Sequence, residues 1–329
     1  MEVENSPAPI CQTATSYGVN GHTFTKVYKE QLSGFREWAQ LSHAESHVLF
    51  PENMGSDLSI DETCLTNGQV YTVLTNKAAH GRKGALVAMI HGVAAAPIIA
   101  LLRTLPLHIR QRVRTITCDL SGAMMFIAQQ VFPRAEIIND RFHVQQLMST
   151  AIDEMRIELR WQVMAEENRL VRQCRREGIT FRPKVEENGE TLRQIMVRCK
   201  HILTRHRSKW NEVQCRRAEI LFRHFPCLRR AYELSMQLTD IYNRHLKPPV
   251  ARLLLARWYN ELEKADSVRF KTVIDTFTTH SRTIINFFNE RLTNASAESF
   301  NAKIKALRSQ FRGIRDTAFF IYRLCSLYA

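Results

Sequence analysis

Hydrophobic and polar positions change their spacing repeatedly between residues 57 and 139. DLSIDETCL and VYTVLTN alternate with a period of two, as strands do, and the Asn67-Gly68 pair between them is typical of a hairpin turn. Later windows repeat apolar positions every three to four residues, as helices do. The predicted elements are strands at 57–65, 70–76 and 85–92, a helix at 97–110, a strand at 113–119, a helix at 121–132 and a strand at 135–139.

Three antiparallel strands followed by helix, strand, helix and strand is the order of ribonuclease-H-like domains. We therefore expect an α/β ribonuclease-H-like core with a mixed five-stranded sheet and helices. The first and fourth strands are neighbours in that topology. Asp61 lies in the first strand and Asp119 ends the fourth, so the two acids would lie side by side.

The rest of the chain differs in character. Residues 24–38 are compatible with a short helix, and strand patterns disappear after Asp140, where long amphipathic helices take over. A large all-α insertion would then interrupt the core. The predicted segments are an N-terminal helical or irregular segment at 1–55, the first part of the core at 56–140, an all-helical insertion domain at 141–288, and C-terminal core helices at 289–329.

A basic helix near the C-terminus begins with a single acid. Its apolar stripe consists of Phe300, Ile304, Leu307 and Phe311, at intervals of four, three and four. Glu298 lies about 160° away from Phe300 around the helix and faces away from this stripe. Asn294 or Ser296 would cap the helix. An acid in a first turn can simply complement the helix dipole, so only partners elsewhere in the chain give Glu298 a further role.

Composition narrows the class of partner. The chain has 46 Lys and Arg against 32 Asp and Glu, for a net charge of +14, which favours a polyanion such as nucleic acid. No segment approaches the roughly 20 apolar residues that span a bilayer, and the N-terminus lacks a signal-peptide pattern. We therefore expect a cytoplasmic protein. The eight cysteines are scattered without a CxxC pair, so free thiols are expected rather than a zinc site.

Residues 199–230 contain nine Lys or Arg against two acids, with three aromatic residues interleaved. This stretch is either a surface that follows phosphates or a solvated helical face. The net charge of the chain favours phosphates. The residues singled out for DNA binding here are Lys200, Arg205, Arg207, Lys209, Arg216 and Arg217.

Phosphodiester chemistry explains why acids would gather in a basic protein. Two Mg²⁺ ions about 4 Å apart can activate a nucleophile and hold the leaving oxygen, and carboxylates are ligands that Mg²⁺ accepts. Asp61, Asp119 and Glu298 fit this scheme. Alternatively, Asp61 is a charge at a strand edge and Asp119 caps the helix that follows it.

Four stretches resemble motifs of bacterial DDE-type insertion-sequence transposases. They are SIDET, TCDLSGAM, NDRFHVQQL and TNASAESFNAKIKALRSQFRG, and they are most similar to the ISL-three-like group, in the form that lacks a fused N-terminal zinc finger and helix-turn-helix. The resemblance runs from about residue 25 to the C-terminus. It implies that Asp61, Asp119 and Glu298 are a catalytic, metal-binding triad for two Mg²⁺ ions, with Mn²⁺ as a substitute. The implied reaction is DNA strand cleavage followed by 3′-OH strand transfer.

The same resemblance assigns further residues. The D-x₂-H element Asp140 to His143, together with Asn301, would shape the site, and Trp258 in LLARWYNELEKA is expected to be a core residue first and a DNA-stacking residue second. The partners implied are double-stranded DNA at the element ends and target, a separate small protein that recognises the ends, and further copies of the chain in a homo-oligomer. The basic residues expected to contact DNA beside Glu298 are Lys303, Lys305, Arg308 and Arg312.

Two alternatives stay open at this stage. A ribonuclease-H-like nuclease would use the same acids without joining strands. A non-catalytic DNA-binding protein derived from a transposase would keep the basic surface without the reaction, although the presence of all three acids argues against it.

Overall fold

The computed structural model describes residues 2–5, 7–65, 68–265, 267–310, 314 and 316–329. The chain divides into two compact units. The first consists of Met1–Asp140 together with Arg291–Ala329, and the second of Arg141–Glu290.

The first unit contains one mixed sheet in the order β1-β4-β3-β2-β5-β6. β2 pairs with β3, β3 with β4 and β4 with β1, all antiparallel, whereas β2–β5 and β5–β6 are parallel. The strands are β1 (His47–Leu49), β2 (Asp57–Cys64), β3 (Val70–Asn76), β4 (Leu86–His91), β5 (Thr115–Cys118) and β6 (Glu136–Asn139).

The five-stranded sheet predicted from sequence was one strand short. β1 pairs with the outer edge of β4, and at three residues it is too short to show an alternating pattern. The predicted neighbourhood of the first and fourth strands, which are β2 and β5, is confirmed. Two turn residues of the predicted hairpin, Thr66 and Asn67, lie outside the described residues. Gly68 beside them has φ +77°, a value that glycine adopts easily.

Helices make up most of the remaining described chain. They are α1 (Glu2–Asn5), α2 (Ile10–Ser16), α3 (Gly21–Val27), α4 (Ala95–Leu102), α5 (Leu107–Arg110), α6 (Gly122–Val131), α7 (Arg141–Arg176), α8 (Leu192–Arg198), α9 (Glu212–His224), α10 (Pro226–Asn243), α11 (Pro248–Lys264), α12 (Lys271–Glu290), α13 (Ala295–Gln310) and α14 (Thr317–Tyr328). The helix predicted at 97–110 is two helices, because Pro106 disfavours helical backbone at the residue before it. The helix predicted at 24–38 is the end of α3 followed by a π-helical turn, Tyr28–Leu32.

The sheet of the first unit is covered on both faces. On one face, Leu58 and Ile60 of β2 share a core with α4 and α6. On the other face, side chains of β3 and β4 share a core with α13 and α14, and Phe300, Ile304 and Leu307 are at most 1% exposed. The apolar stripe predicted for α13 is therefore buried as far as Leu307. Its last predicted member, Phe311, lies outside the described residues.

The N-terminal helices pack against α14. Val3, Ile10, Tyr28 and Phe35 share a small core with Phe319. The buried Arg323 side chain of α14 donates a hydrogen bond to the Val3 carbonyl and another to the Tyr28 hydroxyl, the second at 3.1 Å. The two ends of the chain thus support each other beside the sheet.

The second unit is helical from α7 to α12. α10 packs against α7 and α11, and α11 packs against α12. Trp258 of α11 is 3% exposed, donates from Nε1 to the Leu234 carbonyl at 2.8 Å, and lies 4.9 Å from the Phe277 ring. It is therefore a core residue, as expected first from the sequence.

The eight cysteines are free thiols, as predicted. Among the described helices, none combines the length and the apolar character that a bilayer crossing requires.

The contacts of Asp316 predict that the stability of the first unit depends on pH. Its Oδ1 accepts a hydrogen bond from the Phe319 amide at 2.8 Å, and Oδ2 pairs with the Lys29 ammonium. Partial burial raises the pKa of the Asp316 carboxyl, but the bonds from Lys29 and the Phe319 amide outweigh burial and hold the pKa below its ordinary value. The ionised carboxylate therefore stabilises the fold above the unfolded-state pKa of about 3.9, and this stabilisation is lost as pH falls through the folded-state pKa.

We expect Asp316→Ala to lower the free energy of unfolding by about 1 kcal/mol at neutral pH, the usual cost of losing a helix cap. Urea unfolding at a series of pH values should show this difference shrinking as the solution is acidified. The control is Glu52→Ala, at an exposed acid of the same unit. A difference that is constant with pH would contradict the role of the charge.

Candidate functional site

Three acids lie side by side across three neighbouring parallel strands, where the parallel pairing ends: Asp61 lies within β2, and Asp119 and Asp140 directly follow β5 and β6. β2 and β5 pair with Ser59 opposite Thr117, and continuing this register by two residues sets Asp61 beside Asp119. β5 and β6 pair with Cys118 opposite Asn139, so Asp140 is the next neighbour of Asp119. The Asp140 amide donates to the Cys118 carbonyl at 2.9 Å, which extends this pairing. The carboxyl ends of parallel strands are where α/β sheets usually bind ligands.

The side chains at this edge lie on the face covered by α13. Successive residues of a strand point to opposite faces, so Asp61 shares the face of Ser59, whose Oγ lies 3.2 Å from the Ser296 Oγ of α13. Asn301 of α13 donates from Nδ2 to Asp61 Oδ2 at 2.9 Å and to the Glu62 carbonyl at 3.2 Å. Asn301 lies three residues after Glu298, on the same side of the helix. The helix that carries Glu298 is therefore bonded directly to Asp61.

Asp140 and Glu298 form a close pair of carboxylates in the first unit. A carboxylate oxygen of Asp140 lies within 4.8 Å of one of Glu298. Asp140 is 1% exposed, and its Oδ1 accepts a hydrogen bond from the Asn294 amide at 3.0 Å. Its Oδ2 is also buried and has no hydrogen-bond partner among the described residues. Two like charges this close, one of them buried, favour a cation between them.

Asp119 has a local structural role as well. Its Oδ1 accepts a hydrogen bond from the Ser121 amide two residues later, at 2.9 Å, as in an Asx-turn. Ser121, and not Asp119, is the N-cap residue of α6, so the helix-cap alternative for Asp119 is wrong. Asn139 Nδ2 donates to the Asp119 carbonyl at 2.9 Å and fixes the backbone there. The second carboxylate oxygen, Oδ2, accepts no hydrogen bond from the described residues. It is therefore available for a ligand.

Like charges accumulate around this edge. Burial raises the pKa of the Glu62 carboxyl, and the Asp119 carboxylate raises it further. Burial also raises the pKa of the Cys118 thiol, with Asp119, Asp61 and Asp140 adding to the effect and Lys77 opposing it. Negative charges from three strands therefore act on the same buried thiol, together with one ammonium group.

Two further residues lie at this site, Lys77 and Asn294. Lys77 was not identified from the sequence, and Asn294 was predicted only as a helix cap. Lys77 donates to Thr117 Oγ1 and, at 3.0 Å, to the Thr293 carbonyl. Asn294 is fully buried just before α13, and its side-chain oxygen and nitrogen have no hydrogen-bond partner among the described residues. A lysine directly after a buried strand is the signal that could have drawn attention to Lys77.

The residues at this edge fit a divalent cation with hard oxygen ligands. The donors are carboxylate oxygens from β2, from the residues that follow β5 and β6, and from α13. The buried Asp140 Oδ2 has no hydrogen-bond partner within the described chain. Mg²⁺ and Mn²⁺ prefer such ligands. His143 lies in the first turn of α7, in the second unit.

Two basic residues of α13 that were predicted to contact DNA have partners within the protein. Lys303 donates to the Gly81 carbonyl at 2.5 Å and lies 5.4 Å from the centre of the Tyr328 ring. Arg308 donates to the Leu65 carbonyl, and also to the Cys64 carbonyl at 3.3 Å. Lys305 is exposed. Arg312 lies outside the described residues.

The six basic residues singled out in the second unit fall into two groups. Arg217 binds Glu190 through two hydrogen bonds of 2.7 Å, and Arg207 pairs with Glu219 at 3.3 Å. The other four are exposed, and none forms an ion pair within the described part of the chain: Lys200, Arg205, Lys209 and Arg216.

Comparison with known proteins gives a family match and a curated relative. A family model described as a transposase, of the DDE type and ISL3 group, matches residues 58–324. The transposase for insertion sequence element IS1001 from Bordetella parapertussis is 23% identical over 226 residues, which cover 68% of this chain and 50% of that protein. The chain thus spans about half the length of this curated relative. No solved structure matches the chain.

Metal binding can be tested without any assay of activity. A ligand that binds only the folded state at 100 times its Kd stabilises it by about 2.7 kcal/mol. We expect Mg²⁺ or Mn²⁺ to raise the melting temperature of the wild-type protein, and Asp140→Asn to reduce this rise because one buried ligand charge is lost. Glu52→Gln, at an exposed acid of the same unit, is the control and should keep the full rise. Equal rises in all three proteins would argue against a cation at Asp140.

Proposed function

This chain belongs to the ISL3 family of DDE transposases, and on that premise we propose that it cuts DNA at the ends of an insertion sequence and transfers the exposed 3′-OH ends into target DNA. The observation that carries this function is the register of β2, β5 and β6, which brings Asp61, Asp119 and Asp140 together on the face covered by the Glu298 helix. Family membership supplies the reaction class.

The fold that we propose for the first unit is a ribonuclease-H-like core. Its three antiparallel strands are followed by two parallel strands with intervening helices, which supports this assignment. We take the second unit as an all-helical insertion between β6 and α13, close to the 141–288 segment predicted from the sequence. Residues 1–55, 56–140 and 289–329 would then build the core and its N-terminal support.

Each carboxylate has a role in this proposal. Asp61, Asp119 and Glu298, joined by Asp140, would hold the cations. His143 keeps the site-shaping role that the D-x₂-H element implies. When bound, Mg²⁺ or Mn²⁺ would activate the attacking oxygen and stabilise the leaving oxygen of the phosphodiester. The Asn301 amide orients Asp61, and the Asn294 backbone amide orients Asp140. These bonds keep the acids oriented before any ligand arrives.

The chain's positive charge supplies the affinity for DNA in this proposal. A net charge of +14 favours a polyanion, and the exposed residues without acidic partners in the described second unit are suited to phosphates. Lys305 would contribute from α13. We further propose that a homo-oligomer pairs the two element ends and that a separate small protein recognises their sequence.

Asp119→Asn tests the proposed catalytic role. We expect it to slow strand cleavage by at least about a thousandfold, because several kcal/mol of transition-state stabilisation depend on the bound cations. Binding to a labelled duplex carrying an element end should be equal or stronger, since one repulsive charge is lost. Glu52→Gln should cleave like the wild type. Unchanged cleavage by Asp119→Asn would refute the assignment.

A pre-cut end separates the transposase from its nearest alternative. Given a duplex whose 3′-OH is already exposed, the proposed enzyme should join it to a second DNA, whereas a nuclease without strand transfer yields no joined product. Failure of both cleavage and joining would instead favour a non-catalytic DNA-binding protein.

The second unit generates a separate prediction about DNA affinity. We expect Lys209→Ala combined with Arg216→Ala to weaken binding to every DNA sequence and to reduce the slope of log K against log salt by roughly 0.9 for each lost phosphate contact. The control is Arg229→Ala, because Arg229 is exposed but paired with Glu233 at 3.0 Å. An unchanged slope in the double variant would show that this surface does not bind phosphates.

A further inference from the structure

Lys77 occupies a fixed position beside the acids. It opens the 3₁₀ turn Lys77–Ala79, which follows β3 directly. Asn76 caps this turn by accepting a hydrogen bond from the Ala78 amide at 3.0 Å, and its own Nδ2 donates to the Asn53 carbonyl at 2.9 Å. The backbone from which the lysine extends is therefore held at both the strand and the turn.

The ammonium group joins two segments, one that carries Asp119 and one that carries Glu298 and binds Asp140. Thr117, whose Oγ1 accepts from Lys77, is fully buried and lies two residues before Asp119 on β5. Thr293, whose carbonyl accepts from Lys77 at 3.0 Å, lies just before Asn294, the residue whose amide binds Asp140. Glu298 follows within the first turn of α13, and its amide donates to the Asn294 carbonyl at 3.0 Å. The Lys77 ammonium thus connects the ends of β3 and β5 with the turn before α13.

Electrostatics favours a lysine at this position. Placing a half-buried ammonium against a hydroxyl and a carbonyl alone would cost desolvation energy. Thr117, which accepts from Lys77, lies two residues before Asp119, and residues two apart in a strand point to the same face, so the ammonium lies on the face of the sheet that carries the carboxylates. The acids offset the cost of burying the ammonium, and the ammonium reduces their mutual repulsion.

A direct role in attracting the cations is ruled out by sign, because an ammonium repels them. A role as a DNA contact is less consistent with the geometry, because the ammonium already donates to two acceptors inside the first unit. Positioning is the role that both contacts support.

We propose that Lys77 is a positioning residue whose ammonium ties the turn before α13 to β5 and so holds Glu298 at its working distance from Asp119 and Asp140. Its effect on strand cleavage rests on the proposed function, whereas its effect on the start of α13 does not. The two effects can therefore be measured separately.

The test compares Lys77→Met, Lys77→Arg and Lys83→Met with the wild-type full chain. Lys83 is exposed on the following loop, so its variant loses the same charge without losing these contacts. Amide hydrogen exchange over residues 295–299 reports on the start of α13. Cleavage kinetics at saturating Mg²⁺ separate kcat from KM for DNA.

We expect Lys77→Met to speed exchange over 295–299 and to lower kcat about tenfold with KM for DNA unchanged, the loss expected when a charge-assisted hydrogen bond no longer orients a ligand. Lys77→Arg should restore most of kcat, and Lys83→Met should match the wild type in both measurements. If Lys77→Met does not fold, Thr117→Val removes one acceptor while keeping the lysine, and it should change both measurements in the same direction by a smaller amount.

Wild-type exchange over 295–299 in Lys77→Met, or in Thr117→Val if that variant is used, would overturn the inference, as would a change in KM alone, which would indicate a DNA contact. If the wild-type protein does not cleave DNA, the proposed function fails on its own. In that case faster exchange in Lys77→Met would still support the tie between the turn and β5, and unchanged exchange would still overturn it.

Discussion

Carboxylates gathered at one end of the sheet repel one another, and the first unit has to offset this repulsion. Parallel pairing of β2, β5 and β6 brings Asp61, Asp119 and Asp140 to one edge, and α13 adds Glu298. Gathering these charges costs folding energy unless hydrogen bonds and cations offset it. Hydrogen-bond donors contact one oxygen of each strand acid. The Asn301 side chain donates to Asp61, the Ser121 amide to Asp119 and the Asn294 amide to Asp140.

α13 carries two functions on two sides. Phe300, Ile304 and Leu307 bury one side against the sheet and α14, which sets the height and rotation of the helix. Glu298 and Asn301 lie on the side that meets the acidic edge. Lys303 and Arg308 bond to backbone carbonyls of the loops beside β3 and at the end of β2, so part of the helix's positive charge fastens it in place. Glu298 therefore lies in the first turn of a basic helix because the contacts of that helix set its first turn against the acidic residues of the sheet.

Local patterns predicted much of the first unit. Alternation and turn residues identified five of the six strands, and strand order implied that the strands of Asp61 and Asp119 are neighbours. The apolar stripe of α13 could be predicted because helical spacing is a local property of the sequence. β1 was missed because three residues carry too little pattern, and the break at Pro106 was missed because the apolar spacing continues across it.

The missed features of the site depend on partners that are distant in sequence. The contacts of Lys77 with Thr117 and Thr293, and the structural bonds of Lys303, Arg308 and Arg217, join residues that no local pattern relates. A count of basic residues cannot distinguish a lysine that faces DNA from one that binds a carbonyl. The closeness of Asp140 to Glu298 likewise follows from packing, although the D-x₂-H element marked Asp140 as a residue of interest.

Anomalous X-ray scattering from Mn²⁺, in crystals of the protein bound to an element-end DNA, would show whether these carboxylates share bound cations. We expect anomalous peaks within coordination distance of Asp61, Asp119 and Glu298, next to the cleaved phosphate. Mn²⁺ bound elsewhere, with these side chains directed away from one another beside the DNA, would contradict shared binding of the cations.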